Sequence, residues 1–253
     1  STSALGTFAG AVRDGNLSQA TALLESVDPA QLELITMPDT SGIDTLLTAR
    51  IIPHFADLER LAHDGASTET LFAKRDEMMV LCAHRRGPRG VSDINARIQA
   101  SLRSAPRSSS DGSAFPGMPM IVMRNDPVLG LYNGDIGIVV RDPETPGRLQ
   151  AVFQDAKGEV RAISLGRLPE HEPAFAFTVH KAQGSQSSAV TLILPEKASP
   201  ILSRELVYTG VTRAQDSLQI WGSREVLSAA IERSARRPTG LAERLQTSRV
   251  LCP

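Results

Sequence analysis

The spacing of apolar residues changes twice along the chain. In the first 73 residues, apolar side chains recur every three or four positions, which predicts amphipathic helices. The first such run consists of Leu5, Phe8, Ala9 and Val12. Gly15 is placed to end this helix, Ser18 is expected to cap a second one, and Pro53 is expected to kink a longer helix over residues 43–62. We therefore expect the N-terminal region to be helical.

A short, continuous apolar run at residues 77–83 is typical of a strand that is covered on both faces. A basic loop with Arg85 and Arg86 follows the strand, and Ser92 is expected to cap the next helix. Residues 104–113 are polar and rich in serine, which predicts a linker and a domain boundary. Strand, loop and helix in this order are typical of α/β proteins that bind nucleotides.

Beyond the linker, the pattern becomes that of short strands separated by turns. Four strands are predicted, at residues 120–124, 135–141, 148–154 and 159–165. Asn133–Gly134 and Lys157–Gly158 are candidates for tight turns between them. About 50 residues of this kind suit a small antiparallel barrel. After residue 173 strands and helices alternate again, so we predict an α/β fold that is interrupted by an inserted barrel.

Composition narrows the class of protein. The chain has 253 residues and a formal net charge of −1, but residues 1–73 hold three basic and ten acidic residues, so the remainder is basic. Two cysteines, Cys82 and Cys252, exclude a disulfide framework and a four-ligand zinc site. No apolar run reaches the ~18–20 residues of a membrane span, and the first residues lack the plan of a signal peptide. These features predict a cytoplasmic protein with no membrane partner.

Candidate chemistry is concentrated in two short segments. Residues 178–186 place a hydroxyl, an imidazole, an ammonium, amides and a flexible glycine within nine positions, a set that few structural needs explain together. Gly184 lets backbone N–H groups approach a phosphate closely. The second segment, residues 204–214, is an amphipathic helix that carries Arg213 near its end. Taken alone, such an arginine is usually an exposed charge that complements the helix dipole.

Residues 175–187 and 206–214 resemble motifs V and VI of superfamily-1 DNA helicases, in the order that this superfamily uses. Within it, the chain is most similar to the RecD family, the alpha subunits of exodeoxyribonuclease V. Stretches at residues 124–137, 168–172 and 203–206 support the resemblance, which covers residues 77–245 well. It implies an α/β fold: the second RecA-like motor domain of a P-loop NTPase-type protein, with an inserted small antiparallel SH3-like β-barrel.

The resemblance also implies a division of the chain. The expected parts are an acidic helical N-terminal part of the motor domain at residues 1–73, the first part of its α/β body with a linker at 74–112, the inserted barrel at 113–170, and the second part with motifs V and VI at 171–253. The phosphate loop of an ATPase requires Gly-Lys followed by Ser or Thr, and no Gly-Lys dipeptide occurs in this sequence. In the family this loop lies in the preceding RecA-like domain.

The resemblance implies a role for each residue of this sequence that matches a motif position of the family. Thr178, His180, Lys181 and Gln183 match motif V positions that line the path of single-stranded DNA in the family. Gly184 and Ser185 match the turn beside the nucleotide, and Arg213 matches an arginine finger that reaches the γ-phosphate across the cleft between the two motor domains. Gln186 stands where the family usually has Glu, so a hydrogen bond to the ribose remains available without the charge.

Further DNA contacts are predicted outside the motifs. Arg85, Arg86 and Arg89 form the best basic patch, with a solvated loop as the equally weighted alternative. Asn125, Tyr132 and Asn133 are candidates on the barrel, although Asn133–Gly134 also suits a hairpin turn, which is the interpretation that we put first. Ser187 stands where relatives usually have an aromatic residue.

The resemblance therefore implies the C-terminal motor half of an ATP-dependent 5′–3′ DNA helicase of RecBCD type, active in double-strand break repair and recombination. ATP and Mg²⁺ would be cofactors of the full-length protein, with none bound by this chain alone and no metal site of its own. Single-stranded DNA, the RecB and RecC subunits and an N-terminal RecA-like domain would be partners. The alternatives are a non-catalytic DNA-binding or subunit-docking module and the helicase part of a conjugative relaxase.

Overall fold

The computed structural model describes residues 3–37, 41–103, 114–155, 157–182 and 184–234. The described helices are α1 (Ala4–Asp14), α2 (Leu17–Ser26), α3 (Ser41–Leu46), α4 (Ile52–His63), α5 (Thr68–Asp76), α6 (Val91–Arg103), α7 (Arg204–Val211) and α8 (Arg224–Glu232). The described strands are β1 (Leu32–Ile35), β2 (Met78–Cys82), β3 (Pro119–Val122), β4 (Ile136–Arg141), β5 (Leu149–Gln154), β6 (Val160–Ser164), β7 (His171–Pro173), β8 (Ala176–Thr178), β9 (Ser187–Ile193) and β10 (Ala214–Trp221).

The first two helices end and begin at residues with special backbone roles. Gly15 has a left-handed φ of 69° and its N–H caps α1, as the sequence predicts. The cap of α2 is Asn16, whose side chain accepts from the N–H of Gln19. The prediction that Ser18 caps this helix is wrong, because the helix already begins at Leu17.

The region up to residue 73 is not entirely helical. Strand β1 lies in it and pairs in parallel with β10, so the helical expectation is wrong for these four residues. A π-helical turn, Leu47–Ile51, lies between α3 and α4, and only Ile52 separates it from Pro53. The irregularity expected at the proline is thus a widened turn one residue before it, since proline is accommodated in the first turn of α4.

Five strands form a parallel sheet in the order β1-β10-β9-β2-β8. Alternate residues of β2 point to opposite faces: Leu81 packs in the core with α1, α7 and α8, whereas Val80 and Cys82 pack in the core with α4 and α6. The apolar run at residues 77–83 is therefore a strand covered on both faces, as predicted. The parallel sheet between two helical layers is an α/β architecture.

The remaining five strands form an antiparallel sheet in the order β6-β5-β4-β3-β7. All four strands predicted from the sequence belong to it, and β7 extends it to Pro173. In the residues described, no pairing joins the outer strands β6 and β7, so the hydrogen-bonded ladder does not close into a barrel. The SH3-like barrel and the four domain boundaries remain predictions, and the proposed linker at residues 104–113 lies outside the described residues.

The antiparallel sheet packs closely on the helical layer that contains α4. Gly117 has a φ of 86°, and an added Cβ would lie 2.4 Å from the Cα of Glu59 on α4. Phe175, just before β8, packs edge-on against Phe55 of α4 and stacks with Phe115. Apolar residues from both sheets thus share one core. Within the described part of the chain, none of the helices has the length and apolar character that crossing a membrane requires.

Candidate nucleotide and DNA-binding site

The turn between β8 and β9 carries the predicted nucleotide-binding residues. A single 3-10 turn, Val179–Ala182, leads from the end of β8, and Ser185 donates its N–H to the carbonyl of Ala182 at 3.1 Å. Gly184 is exposed with a φ of 95°, and nothing lies within 4 Å of the position of an added Cβ. The backbone beside Gly184 is therefore open to a ligand from the outside.

Arg213 lies just after α7 and points back towards this turn. Its Nε donates to the carbonyl of Thr209 at 3.0 Å, its Nη1 to the carbonyl of Ser185 at 3.2 Å, and its Nη2 to the hydroxyl of Thr212 at 3.2 Å. The guanidinium is held by three acceptors and is only partly exposed. A cation fixed in this way stands beside the predicted nucleotide turn.

Gln186 and Ser187 also join the turn before β9 to the residues that follow α7. The side chain of Gln186 donates to the carbonyl of Thr212 and accepts from Gln215, both at 3.4 Å. The N–H of Ser187 donates to the carbonyl of Arg213 at 2.9 Å. The structure thus brings together Ser185, Gln186 and Arg213, which the sequence predicts as nucleotide-binding, at the amino end of β9.

A cleft of about 240 Å³ opens beside this turn, between the parallel sheet and the antiparallel sheet. Ser185, Gln186 and Ser187 line it at the start of β9, and Gly134, Asp135 and Ile136 line it where the chain enters β4. Phe55, Met79, Phe175 and Phe177 are among the apolar residues that line it. The lining combines aromatic and aliphatic side chains with polar ones, a common composition for a ligand site.

Several predicted DNA-binding residues lie near the carboxyl ends of β2 and β8. Arg85 forms an ion pair with Glu172, and the Lys181 ammonium lies 2.8 Å from the sulfur of Met123. Partial burial lowers the pKa of Lys181, Glu172 partly opposes this, and Arg85 adds to it. The motif V lysine and the basic loop after β2 are therefore close enough to interact, although their sequence positions are about 100 residues apart.

The other motif residues occupy distinct positions. Thr178 is the last residue of β8, pairs with Cys82 and is half-buried. His180 and Arg86 are exposed. Gln183 lies outside the described residues. Thr178, His180 and Lys181 therefore lie together at the start of the connection from β8 to β9, before the chain reaches the nucleotide turn.

Asn125 and Asn133 are joined by a hydrogen bond. The side-chain oxygen of Asn125 accepts from the N–H of Asn133 at 2.7 Å, and Gly134 follows with a φ of 105°. Asn133 and Gly134 are the middle residues of a tight turn, in which the N–H of Asp135 donates to the carbonyl of Tyr132 at 3.0 Å. Residues 123–135 separate β3 from β4, so this turn is not a two-residue hairpin. The same loop exposes Tyr132 and Val128, of which 55% and 93% are accessible to solvent.

Sequence reasoning missed the residues that connect the two sheets at this site. Arg75 donates to the carbonyl of Ile136, and the carbonyl of Asp76 accepts from the hydroxyl of Ser187. These partners are 61 and 111 residues apart, so no local pattern points to them. In the described residues, no three side chains of His, Cys, Asp or Glu are grouped so that they could hold a metal ion.

Comparison with known proteins places these residues in a family. Residues 173–220, which hold β8, β9, α7 and both motifs, match the model of the UvrD-like helicase C-terminal domain. Over 246 residues the chain is 40% identical to the RecBCD enzyme subunit RecD of Mycolicibacterium smegmatis, a match that covers 97% of this chain. The chain is a RecD homologue. This confirms the resemblance, and with it the RecA-like α/β fold of the parallel sheet and its helices.

Two further relatives agree. The RecBCD enzyme subunit RecD of Haemophilus influenzae is 31% identical over 81% of the chain, and the ATP-dependent RecD2 DNA helicase of Deinococcus radiodurans is 32% identical over 75%. The RecD homologue spans 42% of the Mycolicibacterium protein, 30% of the Haemophilus protein and 27% of the Deinococcus protein. The match therefore concerns less than half of each relative.

Solved structures of Pif1 helicases are also similar to this RecD homologue. A Bacteroides Pif1 helicase in complex with ADP-AlF3 and ssDNA has a TM-score of 0.40 at 14% identity, covering 78% of this chain and 53% of that chain. The Pif1 helicase of Candida albicans has a TM-score of 0.41 at 14% identity, covering 78% and 58%.

Proposed function

We propose that this chain is the C-terminal motor half of an ATP-dependent DNA helicase and that it works with a phosphate-loop domain. The observation that carries the proposal is the hydrogen bond from Arg213 to the carbonyl of Ser185, which joins the end of motif VI to the turn of motif V. In this function Arg213 is the arginine finger. A fixed guanidinium stabilises the charge that develops on the γ-phosphate during phosphoryl transfer.

The fit of ATP to this chain's own residues is limited to one side of the nucleotide. Gly184 offers an open backbone, Gln186 offers a neutral side-chain amide for the ribose, and Arg213 offers the cation. ATP supplies the phosphoanhydride bond whose cleavage releases the free energy for movement. Mg²⁺ and the remaining phosphate contacts belong to the phosphate-loop domain, since this sequence has no Gly-Lys dipeptide.

The proposed path of single-stranded DNA follows the carboxyl ends of β2 and β8. Lys181 and Arg85 supply positive charge there, Thr178 and His180 supply polar contacts, and Arg86 extends the basic loop. Gln183, Asn125 and Asn133 belong to the same proposal as flanking contacts. Phosphate contacts by Lys and Arg position a strand without reading its sequence.

The wider setting of the proposal follows the relatives. Two of them are RecD subunits of RecBCD enzymes, and one is an ATP-dependent DNA helicase. We extend to this chain the 5′–3′ direction, the RecB and RecC partners, and the role in double-strand break repair and recombination. An inserted SH3-like barrel built on the antiparallel sheet, close to the emerging strand, completes this picture.

ATP turnover tests the proposal directly. The chain alone is expected to show no turnover, with or without single-stranded DNA. The two-domain protein, meaning this chain together with its own phosphate-loop domain, is expected to show DNA-stimulated turnover. Arg213→Ala should lower that turnover at least ~1,000-fold and leave DNA binding nearly intact. The matched control is Arg224→Ala, which removes an exposed arginine of α8 that pairs with Glu25 of α2, and it should change neither.

Two outcomes would contradict the proposal. Turnover by the chain alone that survives repurification and is lost on Arg213→Ala would require a phosphate site that we have not recognised. Normal turnover by the Arg213→Ala variant of the two-domain protein would show that Arg213 is not an arginine finger.

A second candidate is a non-catalytic DNA-binding or subunit-docking module. The observation that favours it is that Arg213 is bound by acceptors of its own chain, as a purely structural arginine would be. The same turnover experiment separates the two functions. The helicase part of a conjugative relaxase is a third candidate, and the similarity of residues 124–137 to RecD disfavours it.

A further inference from the structure

Arg75, near the C-terminal end of α5, contacts two residues of its own helix and one residue of the antiparallel sheet. Its Nε and Nη2 donate to the two carboxylate oxygens of Asp76 at 2.7 and 3.0 Å. Its Nη1 donates to the carbonyl of Ile136, the first residue of β4, at 3.0 Å. The guanidinium carbon lies 4.9 Å from the centre of the Phe72 ring, one helical turn earlier. Only 20% of the Arg75 side chain is exposed, so the fork is fixed between the two sheets.

The next residue links Arg75 to the start of β9. The carbonyl of Asp76 accepts from the hydroxyl of Ser187, and the N–H of Ser187 donates to the carbonyl of Arg213. Ser187 is 2% exposed, so its two bonds are shielded from water. One buried serine therefore connects the end of α5 to the residue that we propose as the arginine finger.

These contacts form a continuous path from the antiparallel sheet to the candidate nucleotide site. It begins at the carbonyl of Ile136, passes through Arg75, Asp76 and Ser187, and ends at Arg213. The path borders the cleft between the two sheets, of which Arg75, Asp76, Ile136 and Ser187 are lining residues. Hydrogen bonds therefore join residues on the two sides of the cleft.

We propose that Arg75 is a positioning residue that ties the antiparallel sheet to the turn at residues 184–187 and sets the orientation of Arg213. The inference rests on the proposed function, because it concerns how the finger is aimed. A DNA strand that displaces the antiparallel sheet moves the carbonyl of Ile136, and the planar fork of Arg75 carries this movement to Asp76. Arginine suits this role because its donors are held in one rigid plane, whereas lysine offers a single point charge.

A second arginine in the chain provides a matched control. Arg13 makes the same fork to its own neighbour, with Nε and Nη2 of Arg13 donating to the carboxylate oxygens of Asp14 at 2.8 and 3.1 Å. Both side chains of that pair are more than half exposed, on α1. Arg13→Lys therefore makes the same chemical change at a surface where a bidentate pair contributes little.

The first test is steady-state kinetics of the two-domain protein. In Arg75→Lys the charge remains and the fork is lost, so kcat for DNA-stimulated ATP hydrolysis should fall about tenfold, because a misaligned catalytic group acts mainly on kcat. KM for ATP and Kd for single-stranded DNA should stay within about twofold. Arg13→Lys should leave all three constants unchanged. A kcat for Arg75→Lys equal to that of the wild type would overturn the inference.

A double-mutant cycle asks whether the path acts as one unit. Ser187→Ala removes the hydroxyl without touching Arg75 and should also lower kcat about tenfold. If the two residues act through the same path, the double variant should lose about tenfold and not about a hundredfold. Independent effects that multiply would contradict a shared path.

Amide hydrogen exchange on this chain tests the positioning role without ATP. Arg75→Lys should speed exchange both at residues 136–139 and at residues 184–188, and Arg13→Lys should speed neither. A change confined to one of the two segments would overturn the inference. If the wild-type two-domain protein hydrolyses no ATP, the proposed function fails, and exchange alone then decides whether Arg75 couples the two segments.

Discussion

Asn95 of helix α6 makes three hydrogen bonds to the backbone that joins the two sheets. Its side-chain nitrogen donates to the carbonyls of Pro173 at 2.8 Å and Ala176 at 3.0 Å, and its side-chain oxygen accepts from the N–H of Ala176 at 2.8 Å. Strand β8 is an outer strand of the parallel sheet. The amide of Asn95 therefore acts in place of a neighbouring strand where the chain returns from β7 to β8.

Loss of the Asn95 amide should destabilise the protein strongly. Asn95→Ala leaves buried backbone groups without partners, so we expect the free energy of unfolding to fall by about 3 kcal/mol. Urea unfolding followed by circular dichroism measures this. Asn133→Ala, at an exposed asparagine, should change the free energy of unfolding by less than about 0.5 kcal/mol. A similar small change for both variants would show that Asn95 does not hold the junction.

Two glycines separate backbone strain from steric clash. Gly117 and Gly147 have nearly equal φ values of 86° and 83°, but a Cβ on Gly117 would meet the backbone of Glu59, whereas nothing lies within 4 Å at Gly147. Gly147→Ala should therefore cost about 1 kcal/mol from strain alone, and Gly117→Ala at least about 3 kcal/mol. Thermal and urea unfolding of the two variants test the difference. Equal losses would mean that the loop at Gly117 can move away from α4.

His54 makes stability depend on pH. Burial lowers the pKa of His54 to about 4, the charge of Lys74 adds to this, and Glu77 and Asp57 partly oppose it. An unfolded histidine has a pKa of about 6.5, so the unfolded state takes up the proton first as the pH falls. The contribution is constant above about pH 7, decreases between about pH 6.5 and 4, and is flat below that range.

A comparison of the wild type with the His54→Gln variant isolates the contribution of His54 to the pH dependence of stability. Between pH 7.5 and 5.0, the wild type should lose about 2 kcal/mol more of its free energy of unfolding than His54→Gln does. Urea unfolding at pH 7.5, 6.0 and 5.0 provides the data. Parallel curves for the wild type and His54→Gln would contradict a buried neutral imidazole.

The salt dependence of DNA binding should show whether Lys181 lies on the proposed DNA path. If its ammonium contacts a phosphate, Lys181→Ala weakens binding of single-stranded DNA and reduces the slope of log K against log salt by about 0.7. Lys74 is a suitable control because it is also partly buried, and its ammonium lies 2.8 Å from Glu77 before the amino end of β2. Lys74→Ala should leave the slope unchanged. An unchanged slope for Lys181→Ala would show that Lys181 contacts no phosphate and that its role is structural.

The elements predicted correctly are those whose signal is local. The repeat at Leu5, Phe8 and Val12 and the stop at Gly15 are sufficient for α1, and the apolar run before residue 83 is sufficient for β2. Strand β1 was missed because it has four residues and is stabilised by pairing with β10, far along the chain. Tertiary pairing of this kind is absent from any short window of sequence.

In the candidate site, too, some residues are predicted by local sequence and others are found only from the fold. Motif spacing located Ser185, Gln186 and Arg213, and the structure brings them together. The roles of Arg75 and Glu172 depend on contacts with the antiparallel sheet and with the loop after β2, and sequence distance hides both. A resemblance to motifs therefore indicates which residues carry chemistry, whereas the residues that orient them follow only from the fold.

The strand order of the parallel sheet also constrains how the protein is made on the ribosome. The antiparallel sheet is complete once residue 173 has emerged, because all its strands lie between residues 119 and 173. In the residues that the structure describes, β1 pairs only with β10, so the edge of β1 at Leu32 is not covered until Leu218 has been synthesised. Pairings of such long range form slowly and leave apolar surface exposed meanwhile. Strand β1 must therefore remain unpaired until β10 has been synthesised.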